Sequence, residues 1–392
     1  MQRLVNRLIL SIALSLAWLS TVTAAPAPAA LNPAALYQEA FAMLQQAPGE
    51  NPPLPEPSVG GITPAEVQMA IRFDGPFRLL EQARQSTAPC DWGIDLRAGP
   101  EAHFPPPSQI RELIRAARLR ARVAWNQNHL QEGNRDILAA YALARNAAAG
   151  GTLVAAMMSI GAEESLTAFL SQNLHRLDAT ALARLEAGLQ SLPPSGSVAA
   201  ALKRETTCSL GWWIETLERC SRADPADPSL GIQEARETWS RLVEGNSPGG
   251  SFASLLRDAG ETLPGLMRQA RAAEPLFQAM VDLASQAPAE LRQSEARLEE
   301  MHRGSPSLLY DRFAPNAPKA RRREIETSTR SVMLLAAIAL KLRGEEGFRK
   351  VPEPFGGGPF ILDRNDDGFE IVSHLERQGF NVRLEVPAKP EP

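Results

Sequence analysis

Long stretches of this chain repeat apolar residues every three or four positions and are parted by proline and glycine, a pattern that selects helices. The strongest begins with Ser108 as cap and runs through Ile110, Leu113, Ile114, Ala117, Ala121 and Ala124 to about Leu130, with arginines opposite. Gly133 and Asn134 should then turn the chain, and Asp136 to Ala147 should return as a second helix carrying Ile137, Tyr141 and Ala144. Composition agrees: 44% of residues are hydrophobic but only 6% aromatic. Ala, Leu and Arg lose little side-chain entropy in a helix.

The same reading predicts helices at 35–46, 64–84 (bent or broken by Pro76), 152–174, 179–192, 198–222, 229–244, 251–259 and 275–300. Thr63 and Glu66 form a Thr-x-x-Glu capping box before Pro64. The uncharged stretch 146–162 is split by Gly150-Gly151 and reads as a buried core helix. Towards the end the pattern changes. A helix over about 324–343 precedes Phe355-Gly356-Gly357-Gly358-Pro359-Phe360, and short alternating runs flank Asp363 to Gly368, where Asp-Gly signals a hairpin. The expected class is therefore mainly α, built of helical hairpins or a bundle, with a small C-terminal module of one helix and a β-hairpin.

At the other end, Arg3 and Arg7 precede an apolar stretch from Leu8 to Leu19, and Val22-Thr23-Ala24 supplies the small residues of a cleavage site. This reads as a signal peptide cut after Ala24, leaving no membrane span. The expected units are 1–24 (signal peptide), 25–62 (a Pro/Ala-rich segment with one helix), 63–323 (a helical body) and 324–392 (the terminal module). The formal net charge of −4 excludes a generally basic nucleic-acid binder. The one basic cluster, Lys319 with Arg321, Arg322 and Arg323, runs into Glu324 and Glu326 and reads as a solvated helix start.

Most chemistries fail on spacing. Asp363-x-Asn365-x-Asp367-Gly368 matches the first half of a calcium loop, but His374 stands where the closing glutamate belongs, so Asp363, Asn365 and Asp367 remain a weak calcium candidate beside a plain turn. Glu299 and His302 share a helix face without the partners a di-iron site needs. No metalloprotease histidine pair, phosphate loop or dinucleotide fingerprint occurs, and no cofactor is expected. Glu163-Glu164 reads as a solvated face, or as one half of a dispersed acid pair. Asp91 and Trp92 are interaction candidates, the alternative being that Trp92 plugs the core while Asp91 caps a turn. An oxidising compartment favours disulfides, yet the three cysteines are odd in number. Cys208 and Cys220 lie on one expected helix, roughly 18 Å apart at ~1.5 Å per residue, so a bridge would join Cys90 to Cys208 or Cys220.

Three resemblances accompany these residues. The Ala-rich pair around Tyr141 is similar to a tetratricopeptide hairpin, without the repeat of an array. Residues 32–205, centred on Pro89-Cys90-Asp91-Trp92-Gly93, resemble a family of exported helical bacterial proteins without an assigned function. Residues 328–373, with Pro354-Phe355-Gly356-Gly357, are similar to the end of type II secretion pseudopilins, which implies at most a shared small fold. The functional expectation is an exported, non-catalytic interaction or scaffold protein of the cell envelope whose partner is another envelope protein. The alternative is an envelope glycan or peptidoglycan hydrolase working through carboxylates that sequence does not identify.

Overall fold

The structure, a computed structural model, describes residues 31–46, 61–223, 228–243, 252–305, 307–356, 358–377 and 380–388. The signal peptide, the Ala/Pro spacer and the Pro48 to Pro57 stretch lie outside the described residues. The protein is mainly helical and ends in a three-stranded antiparallel sheet.

The first helices build one half of the molecule. Helix α1 (Pro33–Gln46) buries Tyr37, Ala40, Phe41 and Leu44. Helices α2 (Pro64–Ile71) and α3 (Asp74–Gln85) replace the single expected helix, and the break falls at Arg72-Phe73, so that Pro76 sits in the first turn of α3, where its missing N–H costs nothing. The capping box is made: Thr63 Oγ1 accepts from Glu66 N at 3.2 Å, and Thr63 N donates to Glu66 Oε2 at 2.8 Å.

Helices α4 (Pro107–Asn126) and α5 (Leu130–Ala148) form the expected hairpin, with Ile110, Leu113, Ala117, Ile137, Tyr141 and Ala144 all buried. Its boundaries differ from the sequence reading. Pro106 occupies the cap position, and Ser108 is already inside α4. The turn falls at Gln127 to His129, where Asn128 takes a positive φ of 65°, a conformation that asparagine tolerates. Gly133 and Asn134 do not turn the chain; they are buried within α5. A Cβ at Gly133 would lie 2.4 Å from the Trp125 indole, and Asn134 Nδ2 donates to Ala181 O at 2.9 Å. Both residues serve helix packing, which in sequence looks the same as turn chemistry.

Helix α6 (Leu153–Asn173) is capped by Thr152 and is followed by α7 (Ala179–Gln190). Length and composition would let α6 cross a membrane, yet it is mostly buried among its neighbours. Next come α8 (Val198–Thr206), a π-turn (Thr207–Gly211) and α9 (Trp212–Ala223) as one continuous rod. Three hydroxyls explain the π-turn: Thr206 donates to Leu202 O at 2.9 Å, Thr207 to Lys203 O at 3.2 Å and Ser209 to Glu205 O at 2.7 Å. Three hydroxyls within four residues, each bonding back one turn, compete for carbonyls the regular ladder would use and widen the helix.

Helices α10 (Pro228–Val243), α11 (Phe252–Asp258), α12 (Leu263–Ser285), α13 (Leu291–Gly304) and α14 (Leu308–Phe313) complete the second half. Pro275 lies in the interior of α12, and the break comes at Gln286-Ala287 instead. Helix α15 (Ala317–Arg349), capped by Asn316, starts before the basic cluster and runs through the expected boundary at 323/324; only Gly344, at φ 65°, departs from helical geometry. Its arginines are not merely solvated: Arg321 Nη1 pairs with Glu324 at 2.6 Å, Arg322 with Glu295, and Arg323 Nη2 with Glu164 at 3.0 Å.

Strands β1 (Ile361–Asn365), β2 (Gly368–Arg377) and β3 (Phe380–Pro387) pair in sequence order. Asn365 opposes Gly368, so the hairpin closes on Asp366-Asp367, and β3 extends the expected two-stranded hairpin. Ile371, Val382, Leu384 and Val386 join the same core as α1, α3, α4 and α5. The C-terminal sheet thus shares its core with the first helices. A second core gathers α8 to α14 around Trp213, Trp239 and Phe277. Helices α6 and α15 contribute to both cores and tie them together.

Candidate functional site

The Pro89 to Gly93 loop is fixed from below. Trp92 stacks on Tyr37 at 5.8 Å and on Phe41 at 6.3 Å, and its Nε1 donates to Asn146 O at 2.8 Å. Asn146 Nδ2 donates in turn to Tyr37 Oη at 2.9 Å. Asp91 Oδ1 accepts from Gly93 N at 2.9 Å, and Asp91 N and O both meet the Asn32 amide. The indole is a core plug and Asp91 a turn former, the second of the two sequence readings. Cys90 packs against the first core, its thiol near Ala34 N and pushed up to about 12, chiefly by burial.

All three thiols are free, so no bridge joins Cys90 to Cys208 or Cys220. The reason is placement: Cys90 belongs to the first core, Cys220 is buried in the second, and Cys208 faces a cleft. Asp363 and Asn365 are ladder residues of β1, paired with Glu370 and Gly368, while Asp367 lies in the two-residue turn. A tight hairpin replaces the long loop that calcium coordination needs, and among the described residues no three His, Cys, Asp or Glu side chains come together to hold a metal. His302 is half-buried, 2.9 Å from Asp311 through Nε2 and packed on Tyr310.

From Trp92 the chain runs on to Phe104 and the prolines, which wall an apolar cleft of about 410 Å³. The opposite walls are the first turns of α6 (Thr152, Val154, Ala155, Met158) and the π-turn with Glu205, Cys208 and Ser209. Phe104 and Val154 are exposed on its rim. Glu205 closes the polar end: its Oε2 accepts from Leu153 N at 2.6 Å, and burial raises its pKa. The widened helix is what brings Cys208 and Ser209 to this wall, and it is the feature the sequence reading missed. Its signal was present in the run Thr206-Thr207-Cys208-Ser209.

A second cavity of about 370 Å³, lined by apolar and polar side chains together, lies where the two cores meet, between α5, α6, α15 and the 195–197 segment. It brings Glu163 and Glu324 to one space. Neither is a solvated residue: Glu163 is buried, accepting from Arg145 Nε at 2.9 Å and from Ser195 Oγ at 3.2 Å. Glu324 pairs with Arg321 and accepts from Val198 N at 3.0 Å. Glu164, by contrast, stays half-exposed and pairs with Arg323 and Arg330.

Serine, histidine and carboxylate meet at Glu353, but in the wrong order for nucleophilic catalysis. The Ser373 hydroxyl donates to Glu353, His374 N donates to it at 3.0 Å, and His374 Nδ1 lies 2.8 Å away. Ser373 is fully buried, so no substrate reaches it. Burial raises the Glu353 pKa, but the bonds from Ser373 and His374 outweigh it and hold the carboxyl low.

Comparison of the chain with protein-family models, curated proteins and solved structures gives no match.

Proposed function

We propose that the chain is an exported, non-catalytic helical interaction protein of the cell envelope, and that the apolar cleft takes an apolar segment of a partner envelope protein. The observation that carries this reading is the cleft itself. Its volume falls in the ligand-site range, its lining is mostly apolar, and a few polar groups stand at one end. An exposed phenylalanine and an exposed valine on facing walls of the cleft are what a monomer normally covers. The test is titration with a fluorescent apolar probe, comparing wild type with Val154→Asp. Asp suits the first turn of a helix, so the fold should hold while a charge enters the cleft. One saturable site in wild type, lost in the variant at unchanged Tm, supports the reading. Equal binding by both proteins refutes it.

The hydrolase reading has one observation in its favour, the meeting of Glu163 and Glu324 in a single cavity. Against it, a glycosidase needs one carboxyl able to give a proton, and each of these is spent on an arginine. Cleavage of envelope glycan that disappears in both Glu163→Gln and Glu324→Gln would overturn the non-catalytic reading.

A further inference from the structure

We propose that the free edge of the C-terminal sheet docks an extended peptide of a partner protein, added antiparallel to β1 and carrying an acidic residue two positions before an apolar one.

The edge supplies the backbone half of that recognition. Strand β1 ends the sheet order, and among the described residues no strand lies beyond it, whereas β3 at the other end lies against α6 and α15. Because the hairpin turn is two residues long, Asn365 and Gly368 form a hydrogen-bonded pair. By the alternation of an antiparallel ladder, Asp363 and Ile361 also bond to β2, while the N–H and C=O groups of Leu362 and Arg364 point away from it. Among the described residues no other backbone segment meets those groups. Donors and acceptors at strand spacing are a template that another extended backbone matches.

A groove behind the edge supplies the side-chain half. Its volume is about 470 Å³, and it runs between β1 and the end of α15. Leu362 and Arg364 share one face of β1, and that face lines the groove. Phe348, Phe360 and Leu362 give it an apolar floor, and Glu345, Arg349 and Arg364 form its rim. An added strand turns every second side chain into this space. Running antiparallel, it passes Arg364 before Leu362, so the residue at the rim precedes the one over the floor.

Charge decides what the rim takes. Glu345 is shared by Arg349 at 3.3 Å and Arg364 at 3.3 Å. Two guanidiniums on one carboxylate leave a positive charge over, and all three side chains are more than half exposed, so the pairs are weak and yield to a competitor. The adjacent Lys350 and Glu346 balance each other. Asp363 stands on the opposite face and Asp366-Asp367 in the turn, and none of them lines the groove. A carboxylate from the peptide therefore fits the rim, and an ammonium is repelled. The same charges disfavour a second copy as the occupant, because β1 paired with itself about Asp363 or Arg364 sets like charges directly opposite.

The experiment is fluorescence anisotropy of the full mature chain with a labelled peptide, Thr-Thr-Glu-Thr-Leu-Thr-Val-Thr. It should bind saturably, and about tenfold more tightly than the same peptide with lysine in place of glutamate. The glutamate and leucine that face the groove are also the residues whose N–H groups meet β1. N-methylation of the leucine should therefore abolish binding, whereas N-methylation of the threonine before it should not. Arg364→Glu should reverse the preference between the glutamate and lysine peptides. Val154→Asp in the apolar cleft should change nothing, so this surface and the proposed docking cleft can fail separately. The inference is overturned by no saturable binding of the glutamate peptide, by equal binding of the lysine peptide, or by full binding of the N-methyl-leucine peptide. It is overturned as well if sedimentation shows a dimer that Arg364→Glu dissolves, which would make a second copy the occupant.

Discussion

Replacing Trp92 by alanine separates the two roles a loop tryptophan can have. As a core plug it makes one N–H to carbonyl bond, to Asn146, worth about 1 kcal/mol net. It also stacks on two rings, Tyr37 and Phe41, at roughly 0.5–1.5 kcal/mol each. The indole is only half-buried, so its transfer contribution is smaller than that of a fully enclosed ring. Together these give an expected loss of about 2–4 kcal/mol for Trp92→Ala. Trp92→Phe keeps the stacking and should lose only about 1 kcal/mol, the hydrogen bond. The assay is urea denaturation followed by circular dichroism, read as midpoint and slope. Because Trp92 anchors the segment that continues to Phe104 and Pro105, the alanine variant should also bind the apolar probe more weakly than the phenylalanine variant. An unchanged midpoint in Trp92→Ala would refute the argument, because it would make the indole a surface anchor and not a plug.

Deleting residues 344–392 should abolish the cooperative thermal transition, since Ile371, Val382, Leu384 and Val386 would leave the first core unfilled; a truncated chain that melts sharply near the wild-type Tm would refute this. Glu66→Gln should cost about 1–3 kcal/mol at neutral pH through the capping box and the pairing with Arg122. The Thr63 backbone bond, followed by the other contacts, holds the Glu66 pKa below its ordinary value. Its stabilisation is therefore present above the unfolded pKa and lost as pH falls through the folded one, so wild type and variant should converge in acid. Gly133→Ala should destabilise by roughly 1–3 kcal/mol, because the new methyl meets the Trp125 ring; an unchanged denaturation midpoint would show that the ring moves aside freely. Intact-mass analysis of the exported protein should give a chain starting at Ala25, and retention of Met1 to Ala24 would sink the export proposal.

Helix placement was legible because each apolar stripe is a local pattern with a local cause. The α4–α5 hairpin shows this, its inward residues being those that the spacing of Ile110, Leu113, Ile137 and Tyr141 implies. What one sequence does not carry is the partner of each exception. Gly133 looks like a turn until Trp125 is seen against it, and Pro275 looks like a helix start until α12 is seen running through it on an exposed face. Burial is hidden in the same way. Glu163 and Glu164 are adjacent and identical, yet one points into the seam towards Arg145 and the other outward to Arg323 and Arg330.

The two cavities owe their existence to residues that break helical regularity or bridge two cores, and this explains why no short motif announces either. The cleft needs the π-turn, itself the sum of three weak hydroxyl bonds from ordinary residues. The seam cavity needs α6 and α15 to serve both cores, so that neither core closes fully over the seam and polar side chains from four segments are left facing one another. An apolar filling there would have joined the cores more cheaply, because paired buried charges rarely stabilise more than well-packed hydrophobic residues of the same volume. Two arginine–glutamate pairs kept at the seam are therefore what holds the cavity open there, where apolar side chains would have filled it.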